Sequence, residues 1–346
     1  MKFKDELNLG FIYMGTLVGA GFASGQEIMK FFTVYGKQGL IGIIVSCMLF
    51  FIIGYLVLFY SIQRQSTCVR DIMLPLCGKK LMTFFELFVT VFLLGGYYIM
   101  VSGCGAVLLE GFDLPYYPSV GLICLICIWG LKNGIEGLAN FNKIAVPLMI
   151  FLTLVICKKT IPNFEELKLI IDFAPEGSKG FLFSAFVYVS FNMVSGSVVL
   201  ASLGKSSNRP KAALGGAVIA ACGLFVMGSA VWLMTTANFY EIVNVQIPLM
   251  WIAKPLGQSI YFMSVVILLL AMLTTAFGMG FAFLLNMSIR FKVRYEHTLF
   301  MLIIGIPLTA CGFSNMVGLV YPIFGIVGIL FILLTIFRRF FLTKIE

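Results

Sequence analysis

Residues 15–27 read Gly15-Thr16-Leu17-Val18-Gly19-Ala20-Gly21-Phe22-Ala23-Ser24-Gly25-Gln26-Glu27, inside an apolar run that covers residues 8–35. Four glycines in eleven positions weaken a helix by about 1 kcal/mol each relative to alanine. Ser24 and Glu27 have the S-x-x-E spacing of a capping box, the mark of a helix beginning. One helix is therefore expected to end near Val18 and another to start near Ser24. Irregular backbone at bilayer depth is tolerated only where it is buried in protein or lines a cavity. The new amino terminus would offer N–H groups and a positive dipole end to an anionic group such as a substrate carboxylate. A plainer reading also stands, in which glycines at i, i+4 spacing serve close helix packing. Glu27 has two readings as well: a structural cap partner, or an intramembrane carboxyl that binds a proton or a substrate amine.

The bilayer itself follows from composition. Of 346 residues, 60% are apolar and 11% charged, where a soluble domain carries about 25% charged residues. Apolar runs separated by charged or Pro/Gly-rich stretches predict ten crossings, at 8–35, 39–61, 80–109, 116–131, 139–157, 179–204, 211–236, 258–289, 297–312 and 315–337. The fold class is all-α integral membrane, one transmembrane domain over 1–346. With a cytoplasmic amino terminus, 17 of the 24 basic residues fall in inside segments, so both termini are expected in the cytoplasm of a multi-pass cell-membrane protein. No cleaved signal is expected. The formal net charge of +9 reads as topology, because Lys and Arg are dispersed singly and form no stripe for nucleic acid.

Divided at the loop 158–178, the chain shows the same irregularities twice. The third run of each half is the longest and the fourth the shortest, and the first is interrupted by small and polar residues, at Gly19 to Gly25 and at Ser190 to Ser197. Five crossings per half, 8–157 and 179–337, make the repeat inverted, with spans 1 and 6 discontinuous. Inverted repeats with paired breaks mark a class of secondary transporter whose site lies at the breaks. Enzyme chemistry is not expected. His297 is the only histidine, and Cys124 with Cys127, though spaced CxxC, lie in an apolar run with no second pair, where thiols act as small hydrophobes. No P-loop, dinucleotide fingerprint or metal-ligand cluster occurs, so no cofactor is expected beyond a coupling ion.

Gly-Ala-Gly in a broken first helix, with five-plus-five crossings, resembles the amino acid, polyamine and organocation superfamily with the leucine-transporter fold. The string from Gly19 to Glu27 is similar to the YkvI-type bacterial membrane proteins within it. Gly134-Ile135-Glu136 and Lys143-Ile144-Ala145-Val146-Pro147 resemble sodium-dependent neurotransmitter-type relatives, with a longer spacing here. The resemblance implies sodium held by carbonyls of Gly15 and Val18, the carbonyl of Ala271 and the hydroxyls of Thr274 and Thr275, the last three in an A-x-x-T-T arrangement. Alternatively these threonines bond back to their own helix, and coupling is by protons on Glu27, Glu86 or Lys143. Implied substrate contacts are Gly19, Gly21, Phe22, Ser24 and Glu27 on span 1, and Ser190, Phe191, Asn192 and Ser195 on span 6. Span 3 adds Tyr97 and Tyr98, and span 8 adds Thr275 and Met279. Each has a bland alternative in packing. Asn192 stands out, because an amide between apolar neighbours needs partners in a dry environment. Glu86 is expected to reach the cytoplasmic interface, and Gln246-Ile247-Pro248 to lead a short external helix. The expected function is alternating-access transport of a small amino acid or similar zwitterion. A channel, a sensor, or an enzyme or assembly factor on the same fold are the other readings.

Overall fold

The computed structural model describes residues 2–133, 138–161, 165, 168, 170, 180–207 and 209–341. Every regular element among them is helical. The first span is made of three pieces, α1 (Lys2–Leu17), α2 (Ala20–Ala23) and α3 (Gln26–Phe31). There follow α4 (Lys37–Arg64), α5 (Val69–Phe112), α6 (Tyr116–Asn133), α7 (Leu138–Thr160), α8 (Phe181–Ser202) and α9 (Ala212–Ala237). Two short pieces, α10 (Phe239–Ile242) and α11 (Pro248–Ala253), precede α12 (Gln258–Phe291), α13 (Tyr295–Ile304) and α14 (Phe313–Phe341). Gly134, Ile135 and Glu136 lie outside the described residues, as does the side chain of Lys143.

Six of these helices are long and apolar enough to cross a bilayer: α4, α5 from Gly78 onward, α8 continued to Ser206, α9, α12 and α14. Large apolar side chains such as Met48, Phe281 and Leu319 point outward along them, a surface that lipid covers without cost. This is a multi-pass membrane protein. The runs expected to be long and short differ as read from the sequence: α5 has 44 residues and α12 has 34, whereas α6 has 18 and α13 has 10.

Local chemistry sets the irregularities. α5 bends where Gly78 takes φ 68°, a left-handed value glycine adopts at no steric penalty, three residues after Pro75 has removed a backbone donor. Its start is capped by Asp71, whose Oδ2 accepts the N–H groups of Thr67 at 2.9 Å and Cys68 at 3.2 Å. Those bonds hold the exposed Asp71 carboxyl below the usual carboxylate range.

The helices pack in two groups. α1, α4, α8 and α9 contact one another, while α5 and α12 form the centre of a second group with α6, α7 and α13. α14 touches both, against α8 and α5. Within the first group, Gly54 of α4 leaves room for the Tyr13 ring, whose hydroxyl donates to the Phe50 carbonyl at 2.7 Å. The broken span joins the groups: α2 lies on α12, and α3 lies against α8, α9 and α14.

The second expected break is absent. α8 runs as one helix through Ser190 to Ser197, because its polar side chains bond along it instead of interrupting it. Asn192 Nδ2 donates to the Tyr188 carbonyl at 3.0 Å, Ser195 Oγ to the Asn192 carbonyl at 3.1 Å, and Ser197 Oγ to the Val194 carbonyl at 3.2 Å. This is the local back-bonding by which Ser and Asn fit inside membrane helices.

Candidate functional site

The break in span 1 is a double one. α1 ends at Leu17; Gly19 is extended at φ −84°, ψ 179°; α2 makes a single turn; and Gly25 at φ 84° separates it from α3. Among the described residues, the carbonyls of Gly15 and Val18 accept no backbone N–H, and the N–H groups of Ala20, Gly21 and Phe22 have no backbone acceptor. Helix ends leave such groups open by geometry; the turn of α2 that follows lies on α12.

The expected capping box does not form. The left-handed Gly25 inserts a residue between Ser24 and the helix, so Glu27 stands in the first turn of α3 without reaching back to Ser24. Ser24 Oγ donates to the Gly21 carbonyl at 2.8 Å and accepts the Gln26 N–H at 3.3 Å. Glu27 instead folds over the break: a Cβ built on Gly21 would collide with its Oε1. Tyr188 of α8 turns its hydroxyl toward this carboxyl and Tyr321 of α14 lies beside it. Glu27 is 4% exposed, and its Oε2 has no hydrogen-bond partner. Around it, Phe191 stacks on Tyr321 with ring centroids 4.5 Å apart, and Phe31 lies 5.4 Å from both Tyr188 and Phe191. Ser190 Oγ is likewise buried without a partner, against Gly328 of α14.

The loop before α11 is latched onto this break. Gln26 Nε2 donates to the carbonyls of Val245 at 2.6 Å and Gln246 at 2.9 Å, and the Leu249 N–H donates to the Ser24 carbonyl at 3.0 Å. Gln246 Oε1 accepts the Ser314 N–H at 2.8 Å, while the Gln246 N–H donates to Glu110 Oε1 at 3.0 Å. The short helix expected after Gln246-Ile247-Pro248 is α11, with Pro248 in its first turn. At the other end, nearer the amino terminus, Glu86 does more than reach an interface. Its Oε1 pairs with Arg70 at 3.4 Å and Arg290 at 3.1 Å, tying the start of α5 to the end of α12.

On α12, Thr274 and Thr275 both donate their hydroxyl hydrogens to the Ala271 carbonyl, at 3.0 and 2.8 Å. Span 3 sends its tyrosines away from the break: the Tyr97 hydroxyl meets Cys124 Sγ at 3.5 Å, and the Tyr98 hydroxyl donates to the Met301 carbonyl at 2.6 Å. Met279 lies on Gly96 of α5.

No family model matches the chain. It is 25% identical over 327 residues to the membrane protein YkvI of Bacillus subtilis (strain 168), covering 94% of this chain and 93% of YkvI. It is also 25% identical over 338 residues to YyaD of the same organism, covering 95% of each. Among solved structures it is similar to MhsT in complex with L-phenylalanine, with TM-score 0.66, 18% identity and coverage of 94% and 88%. It matches the Eremococcus coleocola manganese transporter at TM-score 0.65 and 15% identity, covering 94% of this chain and 78% of that one. Inward-facing Mhp1 matches at TM-score 0.62 and 12% identity, covering 95% and 75%.

The chain has the leucine-transporter fold and is a relative of YkvI. The residues at the first break are Gly19, Gly21, Phe22, Ser24 and Glu27, and Phe191 of α8 lies against Phe31 of α3, with ring centroids 5.4 Å apart. Asn192 and Ser195 are satisfied within α8. Sequence reasoning missed Tyr188, Tyr321, Gln26, Glu110 and Ser314. The first carried a signal, because Tyr188 stands one turn before Phe191 on the same face. The partners of Gln26 lie more than 200 residues away, and no local pattern announces them.

Proposed function

We propose that this chain is a secondary transporter of a small amino acid or related zwitterion, working by alternating access with sodium as coupling ion. The observation that carries the reading is the double break of span 1, placed between two groups of helices with its carbonyls and N–H groups unpaired. Two five-span halves of opposite orientation, with both termini cytoplasmic, belong to the same reading. On it, the loop from Val245 to Leu249 closes the outer face over the break. The group of α1, α4, α8 and α9 rocks against that of α5 and α12, and parting them opens the path.

The donors fit sodium in kind: the Gly15 and Val18 carbonyls are free of backbone bonds, and Thr274 and Thr275 add neutral oxygens across the α2–α12 contact. The Ala271 carbonyl already accepts both threonine hydroxyls, so ion binding would redirect those hydrogens. A proton-coupled reading is favoured by one observation, the buried and unpaired Oε2 of Glu27.

Proteoliposome uptake tests the choice. Saturable uptake of a labelled neutral amino acid, driven by an inward sodium gradient and uncoupled from sodium by Thr274→Ala, is the expected result. Uptake driven by a proton gradient and indifferent to sodium moves the coupling to Glu27. Conduction without saturation would mean a channel.

A further inference from the structure

We propose that Arg70 and Arg290, held side by side on Glu86 where α5 begins and α12 ends, form a binding site for the phosphate of an anionic phospholipid in the leaflet at that end of the bundle. The inference is separate from the transport cycle and needs only that the chain spans a bilayer.

At the centre one carboxylate holds two cations. Glu86 Oε1 lies 3.4 Å from Arg70 Nη1 and 3.1 Å from Arg290 Nη2, so the three side chains together keep one positive charge unbalanced. A guanidinium carries five N–H donors in a planar fork. Among the described residues Glu86 is the only ion-pair partner of either arginine, so most donors of both forks stay open. Burial runs in the direction a headgroup site requires: the Glu86 side chain is 15% exposed, while those of Arg70 and Arg290 are 39% and 31% exposed. The carboxylate fixes the pair from the protein side and the forks face outward. Paired N–H groups of this kind match the oxygens of a phosphate bidentately.

The setting of the pair selects a lipid over a soluble anion. The apolar crossing of α12 ends at Ser288 and that of α5 starts at Gly78. Arg290 therefore follows directly on one crossing, and Lys79 and Lys80 open the other, at the depth where hydrocarbon gives way to headgroups. Lys79 stands two turns before Glu86, on the same helix face. Segments 69–87 and 288–296 together carry six Lys and Arg against three acids. Of those acids, Asp71 is occupied by the N–H groups of Thr67 and Cys68, and Glu296 by Arg294. Such a surplus beside a crossing attracts anionic headgroups. Deeper along the same helices lie exposed apolar stripes: Phe84, Leu87 and Val91 at i, i+3 and i+7 on α5, and Phe281 and Leu285 at i, i+4 on α12. Acyl chains cover these stripes, whereas a free phosphate leaves them bare. A zwitterionic headgroup sets its own cation against the arginines, and a second copy of the chain would bring the same positive surplus to the contact.

The test uses the full-length protein in detergent and three probes: dioleoylphosphatidylglycerol, dioleoylphosphatidylcholine and inorganic phosphate. Lipid retention is read by native mass spectrometry and stabilisation by thermal shift. Phosphatidylglycerol should be retained in preference to phosphatidylcholine and should raise the melting temperature, and added salt should weaken both effects. Arg70→Gln combined with Arg290→Gln should reduce retention of phosphatidylglycerol about tenfold or more and leave that of phosphatidylcholine unchanged. Because this variant strips Glu86 of its partners, the triple variant with Glu86→Gln added, neutral throughout, guards against loss by misfolding and should show the same reduction. Glu86→Gln alone separates a lipid site from an ion network that only joins helices: it should retain phosphatidylglycerol at least as well as the parent, since both forks are then free. Equal retention of the two lipids overturns the proposal, as does full retention of phosphatidylglycerol in the folded triple variant. Loss of retention in Glu86→Gln as large as in the arginine variants assigns the three side chains to helix packing and also overturns it. Inorganic phosphate that stabilises the parent as strongly as phosphatidylglycerol makes this a soluble-anion site and overturns the lipid.

Discussion

Gln26→Leu is expected to unlatch the outer loop. The parent amide is fully buried, and its Nε2 bridges the Val245 and Gln246 carbonyls at 2.6 and 2.9 Å, while its Oε1 lies 3.4 Å from Ser314 Oγ. Leucine has a similar volume, so packing changes little and the loss is polar. Each hydrogen bond contributes about 1 kcal/mol net, and a buried acceptor left unpaired costs about 1–3 kcal/mol. Water reaching the loosened loop recovers part of this, which leaves a shift of about 2 kcal/mol toward the unlatched state. That is on the order of thirtyfold in the equilibrium between the two. The assay is hydrogen–deuterium exchange of the peptide covering residues 243–253. The Leu249 N–H, bonded to the Ser24 carbonyl at 3.0 Å, and the Gln246 N–H, bonded to Glu110, should exchange about thirtyfold faster. Exchange in the α5–α12 contact should not change, and that distinguishes unlatching from general unfolding. If the loop amides exchange at the parent rate while the variant is folded, the latch holds without Gln26 and the reasoning is refuted.

Other outcomes follow from single contacts. Asp71→Ala should lower stability by about 1 kcal/mol through loss of the α5 cap. Because the folded carboxyl is held below its unfolded value of about 3.9, its contribution is present above that pH and fades as pH falls through the lower folded value; a melting series in acid checks it, and an Asp71→Ala variant as acid-sensitive as the parent would contradict it. Glu86→Gln should cost about 1 kcal/mol and remove a salt-sensitive part of the melting temperature, since Arg70 and Arg290 both lose their partner; identical salt titrations of parent and variant would dismiss that network. Gly21→Ala should displace the Glu27 carboxyl, with an overpacking penalty of about 1–3 kcal/mol and a lower melting temperature; melting at the parent temperature would show that the carboxyl position over the break is unimportant.

The all-α membrane class was legible because hydropathy registers a property of whole segments: lipid demands about 20 apolar residues per crossing, and six of the described helices are long and apolar enough to cross. The first break was legible for a related reason. Gly19, Gly21 and Gly25 remove helix stability within a few residues, and no neighbouring side chain can restore it. The supposed second break looked alike in composition and behaved otherwise. Serine and asparagine carry their own donors, and Ser195, Ser197 and Asn192 spend them on carbonyls three or four residues back, so a polar cluster without glycine repeats need not open a membrane helix. The capping box failed over one residue: S-x-x-E specifies spacing, but Gly25 at φ 84° decided where the helix began.

That failure has a consequence for the site. Had Ser24 capped α3, Glu27 would have bonded the Ser24 N–H and had its charge satisfied by backbone. Freed from that duty, its carboxyl is turned inward over Gly21, with its Oε2 buried and without a hydrogen-bond partner. Gln26 takes the opposite part, spending every polar atom on the loop and on Ser314. Two adjacent residues with side chains of nearly the same length thus divide the work at the break, the neutral amide holding the loop before α11 and the acid leaving its Oε2 without a partner. Exchanging them, as Gln26→Glu with Glu27→Gln, keeps composition and volume while placing a carboxylate against the Val245 and Gln246 carbonyls. The double variant should unlatch the loop, read as faster exchange of the Gln246 and Leu249 N–H groups, and a folded variant that exchanges at the parent rate would show that the division is not made by these two side chains.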